Sequence, residues 1–251
     1  MNPGPEFAAE RKTPGQIGVV MSLFPTKPEP IEVQADRAAV VVVDMQNAFA
    51  SKGGMFDLSG LDISGAQRVI TVQQDLLRAA REARVQVVYL VMGYDAELTT
   101  SGGPDSPNWH KELALLLMRK RPELKGKVLT QGEWDWEVVE GLRPQPGDLV
   151  VNKTRYSGFC GTPLDSLLRT RGIKTLFFTG IATNICVEST LRDAFFLDYW
   201  SVLVKDATLQ AGPPLLQEAT VRNVELALGW TLSAAEFIQA VSQNELRGTR
   251  V

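Results

Sequence analysis

Short apolar runs of strand length recur along this chain, each separated from the next by a segment of about helix length, and this pattern limits the possible folds most. The runs are Ala38–Val43 (AAVVVV), Val85–Val91 (VQVVYLV), Asp148–Asn152 (DLVVN), Thr175–Thr179 (TLFFT) and Ser201–Lys205 (SVLVK). A run that is apolar at every position, rather than at alternate ones, belongs to a strand buried on both faces. Between the runs, residues 66–83 place Val69, Val72, Leu76, Leu77 and Ala80 at helical spacing. Helices are also predicted over 109–119, over 163–170 behind the cap candidate Thr162, and over 184–196. Two amphipathic segments, 213–227 and 233–242, follow the last run. Strands alternating with helices imply βαβ units, and hence an α/β fold: a three-layer α/β/α sandwich around a mainly parallel sheet. Residues 1–30, rich in Pro, Gly and charge, read as a flexible N-terminal extension, and 31–251 as a single domain.

Composition removes several classes of partner. The 26 basic and 29 acidic residues are interspersed and leave a net charge of −3, which argues against nucleic acid or an anionic membrane as the main partner. No apolar run approaches the roughly 18–20 residues that a membrane-spanning helix needs. The N-terminus lacks the basic-then-apolar order of a secretory signal, and two cysteines cannot form a disulfide framework. The expected setting is therefore reducing and cytoplasmic.

In open parallel sheets, ligands bind outside the carboxyl ends of the strands. Three chemically distinct groups lie there in this sequence. The first run ends in Asp44, the DLVVN run leads into Lys153, and TLFFT leads through Gly180 to Cys186. If those strands are neighbours, a carboxylate, an amine and a thiol converge on one cleft. With Thr183 or Asn184 as N-cap, Cys186 falls in the first turn of a helix. There the unpaired N–H groups and the dipole favour a thiolate, and Lys153 would lower the thiol pKa further. The same N–H groups could hold an oxyanion, and Asp44 could move protons between sulfur, leaving nitrogen and water. The alternatives are a small core cysteine, a strand-end Asp and a solvated Lys.

His110, the only histidine, lies in SPNWHKEL and reads as a structural or surface residue. With one histidine and two cysteines no zinc-type cluster is expected, and Cys160 in SGFCGTP reads as structural. Neither a Walker A sequence nor a G-x-G-x-x-G after the first strand is present. No metal and no cofactor are expected.

Several segments carry a resemblance: VVVDMQNAF (41–49), GGPDSPNWHKE (102–112), KTRYSGFCGTPLDSLLRTRGI (153–173), TGIATNICVESTLRDAFFLDYW (179–200) and KDATLQAG (205–212). Over about residues 35–242 the chain resembles the isochorismatase-like cysteine hydrolases, and within them most closely the branch that hydrolyses ureidoacrylate. The resemblance implies a Rossmann-like α/β/α fold, a homotetramer or homodimer, and an Asp–Lys–Cys triad that falls on Asp44, Lys153 and Cys186. It implies a cis peptide within 181–183, which turns the N–H of Ala182 alongside that of Cys186 toward an oxyanion. Nicotinamidase relatives add an Asp/His metal site, and this chain has no matching histidines. Gln46, Asn47, Met92, Tyr94, Glu112 and Tyr156 are the positions expected to bind substrate.

The substrate-facing loop departs from the ureidoacrylate branch. That branch carries Gln-Asn-Gly-Trp where this chain has Val91-Met92-Gly93-Tyr94, an acidic residue at Thr100, and a serine at Glu112. Replacing Asn by Met removes a donor and an acceptor for a ureido group. A carboxylate at position 112 would repel an anionic substrate and accept hydrogen bonds from terminal amides. These changes lead to the expectation of a cysteine amidohydrolase acting on a small neutral ureide such as triuret or biuret through a thioester-like intermediate. Ureidoacrylate is the alternative if the changes are neutral drift. A non-catalytic binding protein and a vinyl-ether hydrolase are the rivals from other classes.

Overall fold

The computed structural model describes residues 21–248. Its strands are β1 (Met21–Phe24), β2 (Ile31–Gln34), β3 (Ala38–Val43), β4 (Gln86–Met92), β5 (Leu149–Lys153), β6 (Thr175–Ile181), β7 (Trp200–Leu209) and β8 (Trp230–Leu232). Its α-helices are α1 (Asn47–Ala50), α2 (Met55–Leu58), α3 (Ala66–Glu82), α4 (Pro107–Lys111), α5 (Leu113–Lys120), α6 (Leu164–Thr170), α7 (Glu188–Phe196), α8 (Leu215–Asn223) and α9 (Ala234–Gly248). Six strands form one parallel sheet in the order β5-β4-β3-β6-β7-β8.

Alternation along the central strands explains why their sequences are apolar throughout. Val40, Val42, Val87, Tyr89 and Phe177 face one core with α3 and α9. Val41, Val43, Val88, Leu90 and Phe178 face the other with α6 and α7. Each face is covered, so each position must be apolar. This is the expected α/β/α sandwich.

Chain order reverses direction across the sheet at β3, so the ends of β3 and β6 flank the crevice where such folds bind ligands. Gly180 lets those two ends approach closely. A Cβ there would lie 2.0 Å from the Val43 carbonyl oxygen, and its φ of +115° suits glycine.

Four local features differ from expectation. Residues 21–24 pair with 31–34 in an antiparallel hairpin, and the Phe24 ring packs on Phe177 and Phe237. The part of the predicted extension from 21 to 30 therefore belongs to the folded body, and residues 1–20 lie outside the described residues. The helix predicted over 109–119 is split at Glu112, whose extended backbone ends α4 and caps α5. The helix predicted from Asn184 opens as a π-helical turn, Thr183–Val187, before α7 begins. Cys160 is exposed. No helix among the described residues is long and apolar enough to cross a membrane.

Candidate active site

Asp44 leaves β3 with a left-handed φ of +50°, rare for a non-glycine residue and typical of sites where backbone strain serves geometry. Its carboxylate is fully buried, and Oδ2 accepts a 2.7 Å hydrogen bond from Lys153 Nζ, at the end of β5. The lysine reaches across the end of β4, where Met92 is its register partner and Met92 Sδ lies 3.7 Å from Nζ. Nζ also donates to the carbonyls of Arg155 and Tyr156, each at 3.1 Å. An ammonium has three protons, and these three oxygens take them all. Lys153 is thus a fixed, fully bonded cation.

Cys186, 4% exposed, sits in the π-helical turn after β6 and interacts with both Asp44 and Lys153. The turn is not held by a side-chain N-cap. Instead Asn184 pairs with both backbone groups of Ala211, at 2.9 and 3.2 Å, and Thr190 Oγ1 donates to the Cys186 carbonyl at 2.6 Å. Thr183 Oγ1 is buried without a partner among the described residues. The Ile181–Ala182 peptide is cis. Among the described residues no backbone carbonyl takes the N–H of Ala182.

Burial governs the charges. It pushes the Cys186 thiol well above its ordinary range; Lys153 pulls it down, while Asp44 and Glu112 push it up further. The low thiol pKa expected from a helix terminus does not hold, because desolvation outweighs it. Burial also raises Asp44 against the attraction of Lys153. For Lys153 burial pulls down, yet Asp44 and Cys186 together hold the amine above its ordinary value. The resting set is therefore a thiol beside an ammonium-paired carboxyl group.

In front of the sulfur lies a narrow cavity of about 10 Å³, room for a single water. Its walls are Phe49, Met55, Phe56, Met92, Glu112, Leu113, Tyr156, Ala182, Ile185 and Cys186. Of the positions expected to bind substrate, Met92, Glu112 and Tyr156 lie at the cavity wall. Both Glu112 oxygens accept N–H groups of α5, from Ala114 and Leu115 at 3.1 and 2.9 Å, and burial raises its carboxyl pKa. Tyr156 Oη donates to the Lys111 carbonyl at 3.3 Å.

Gln46, Asn47 and Tyr94 do not line it. Gln46 is engaged with Met92 and Trp136, Asn47 with the Trp134 carbonyl and Ser51, and the Tyr94 phenol with Thr154 and Asn108. Their polar atoms are taken by backbone and side-chain partners. His110 is bonded to the Pro104 carbonyl. Phe49, Met55, Phe56, Leu113 and Ile185 are cavity residues that sequence reasoning missed, since an apolar side chain carries no mark of its site. Asp135 was also missed: its buried carboxylate takes the N–H groups of Met55 and Leu129 and so holds the Met55 wall. Among the described residues no three His, Cys, Asp or Glu side chains group as ligands for a metal ion.

Residues 38–236 match the Isochorismatase domain. The chain belongs to the isochorismatase family. It is 54% identical over 220 residues to the ureidoacrylate amidohydrolase RutB of Agrobacterium fabrum, covering 88% of this chain and 96% of that protein. Among solved structures it is similar to a cysteine hydrolase from Pseudomonas syringae pv. phaseolicola, with a TM-score of 0.70, 28% identity, and coverage of 84% and 95% of the two chains. It is also similar to the N-carbamoylsarcosine amidase of Thermoplasma acidophilum, with a TM-score of 0.59, 26% identity, and coverage of 79% and 96%. The hydrolase of carbon–nitrogen bonds expected from sequence is what these amidohydrolase and amidase relatives are named as.

Proposed function

We propose that this isochorismatase-family chain is a cysteine amidohydrolase that cleaves a C–N bond of a small ureido compound. The single observation that carries this reading is the buried Cys186–Asp44–Lys153 set, whose Cys186 lies at the wall of the cavity. The Cys186 thiol passes its proton to the Asp44 carboxylate as the sulfur attacks the substrate carbonyl. The N–H groups of Ala182 and Cys186 hold the resulting oxyanion. Asp44 then returns the proton to the leaving nitrogen, the C–N bond breaks, and a thioester-like acyl- or carbamoyl-enzyme remains. Water, deprotonated by Asp44, attacks that carbonyl, and the sulfur leaves and recovers the proton. Lys153 keeps Asp44 ionisable in its buried position and donates nothing to the substrate, because its three protons are committed.

The relatives named ureidoacrylate amidohydrolase support ureidoacrylate as the substrate. A specific observation favours a second reading. The buried carboxyl group of Glu112 and the thioether of Met92 line the cavity, and a neutral ureide such as triuret or biuret meets no repulsion from that carboxyl group. Product release from a panel of ureidoacrylate or a stable ureido-acid analogue, triuret, biuret and nicotinamide separates the two. Wild type and Cys186→Ser are run side by side. Equal activity of the two proteins on any compound would remove the nucleophile assignment. A homotetramer or homodimer, and a reducing cytoplasmic setting that keeps both thiols free, accompany this reading; sedimentation velocity tests the assembly.

A further inference from the structure

Gln46 was expected to touch substrate, yet its side chain is fully buried and all of it is in use. Oε1 accepts the Met92 N–H at 2.9 Å, and Nε2 donates to the Met92 carbonyl at 2.8 Å and to the Trp136 carbonyl at 2.7 Å. Both backbone groups of one residue are therefore clamped by one amide. The reason lies in the strand ends. The backbone pairing of β3 with β4 finishes at the Asp44 N–H, which donates to Leu90 O at 3.0 Å. Beyond it β3 turns away through the left-handed Asp44, so Met92 at the end of β4 loses its strand partner on that side. The Gln46 amide supplies the donor and acceptor that the next peptide of β3 would have supplied.

Met92 is the residue on which the site is assembled. Its side chain lines the cavity and touches Lys153 Nζ, and its backbone is the register partner of Lys153. We propose that Gln46 is a positioning residue: by clamping Met92 to the turn that follows Asp44, it fixes the distance between the Asp44 carboxylate, the Lys153 ammonium and the Cys186 sulfur. The inference rests on the reading of these three as the reacting set. Gln46 has no spare donor for a substrate. Engaging one would leave buried carbonyls of Met92 or Trp136 unpaired, which is unfavourable.

The charged and titratable groups that face Asp44 are Lys153 from β5, Cys186 from the π-helical turn, and Glu112 from between α4 and α5. Of these, Lys153 favours the Asp44 carboxylate through its charge and its hydrogen bond. Releasing the clamp lets Met92 shift against Lys153 and loosens the Lys153–Asp44 contact, so the acid limb of any Asp44-dependent step moves to higher pH.

The test uses Gln46→Met, which has no amide, and Gln46→Glu, whose buried carboxyl keeps the acceptor and, when protonated, one donor. Two readouts are taken beside the melting temperature: kcat and KM across pH, and the pH profile of Cys186 alkylation by iodoacetamide in a Cys160→Ser background. Gln46→Met is expected to lower kcat roughly 10- to 100-fold with KM nearly unchanged, the size of effect that a small misplacement of reacting groups produces. Gln46→Glu is expected to fall between it and wild type, and both shift the acid limb of alkylation upward. A raised KM at unchanged kcat would make Gln46 a substrate ligand and overturn the inference. Unchanged kcat and alkylation profiles with only a lower melting temperature would reduce it to a strut. If Gln46→Met does not fold, the Gln46→Glu profiles decide. If wild type turns over nothing in the panel, the functional reading fails while the alkylation profiles still settle Gln46.

Discussion

Replacing Lys153 by Met removes the only cation that the buried Asp44 carboxylate touches among the described residues. The pair is completely inaccessible on both sides and its oxygen–nitrogen distance is 2.7 Å. Removing one partner of such a pair costs about 3–5 kcal/mol, because the remaining charge is stranded away from water. The cost depends on pH. In the wild type, burial already holds the folded pKa of Asp44 above its ordinary value of 3.8, and loss of the ammonium raises it further. A carboxyl group whose folded pKa exceeds its unfolded one contributes stability below the unfolded value, and loses it as pH rises through the folded value. The deficit of Lys153→Met is therefore smallest near pH 4. Once pH passes the wild-type folded pKa of Asp44, it grows by up to about 1.4 kcal/mol for each pH unit until Asp44 ionises in the folded variant. Urea unfolding of both proteins at several values between pH 4.5 and 8 measures this. The double substitution Asp44→Leu with Lys153→Met should recover much of the loss and remain inactive. A deficit below about 1 kcal/mol, or one that is flat with pH, would refute the account of a desolvated, mutually dependent pair.

Two further outcomes follow from the same geometry. Since Asp44 must be ionised to take the thiol proton, kcat/KM should fall as pH drops through an apparent pKa above the ordinary 3.8, read from the acid limb of the rate profile. Glu112→Gln removes the cavity's negative charge but keeps one acceptor for the N–H groups of α5. It should cost no more than about 1 kcal/mol of stability and shift the ratio of kcat/KM for a ureido acid over a neutral ureide upward, roughly 10-fold or more; an unmoved ratio would leave the Glu112 charge without a role in substrate choice.

The strands buried on both faces were legible because such burial forces an unbroken apolar run, as in AAVVVV and TLFFT. β1 was not: in MSLF only alternate residues are buried, and its Pro-rich surroundings disguised a strand as part of a tail. β8 is three residues long, too short to show a period. Asp44, Lys153 and Cys186 were legible because topology brings strand ends together whatever the details of packing. That Gln46, Asn47 and Tyr94 stand off the cavity was not legible, for one physical reason. A polar side chain beside a site reads as a ligand for substrate, whereas their partners include backbone carbonyls 46 to 90 residues away in the chain. The thiol was misjudged because a helix end is visible in sequence and burial is not. Glu112 shows the reverse case. One residue both splits the predicted helix and lines the cavity, a coincidence that only the backbone geometry reveals.

The central claim is a covalent bond between Cys186 and the substrate's carbonyl carbon. Acid-quenching the enzyme during turnover and mapping its peptides by mass spectrometry tests it most directly. The account predicts an acyl or carbamoyl adduct on the Cys186 peptide that forms in the wild type, decays as substrate is exhausted, and is absent from Cys186→Ser together with all activity. Turnover by Cys186→Ser at the wild-type rate would contradict it.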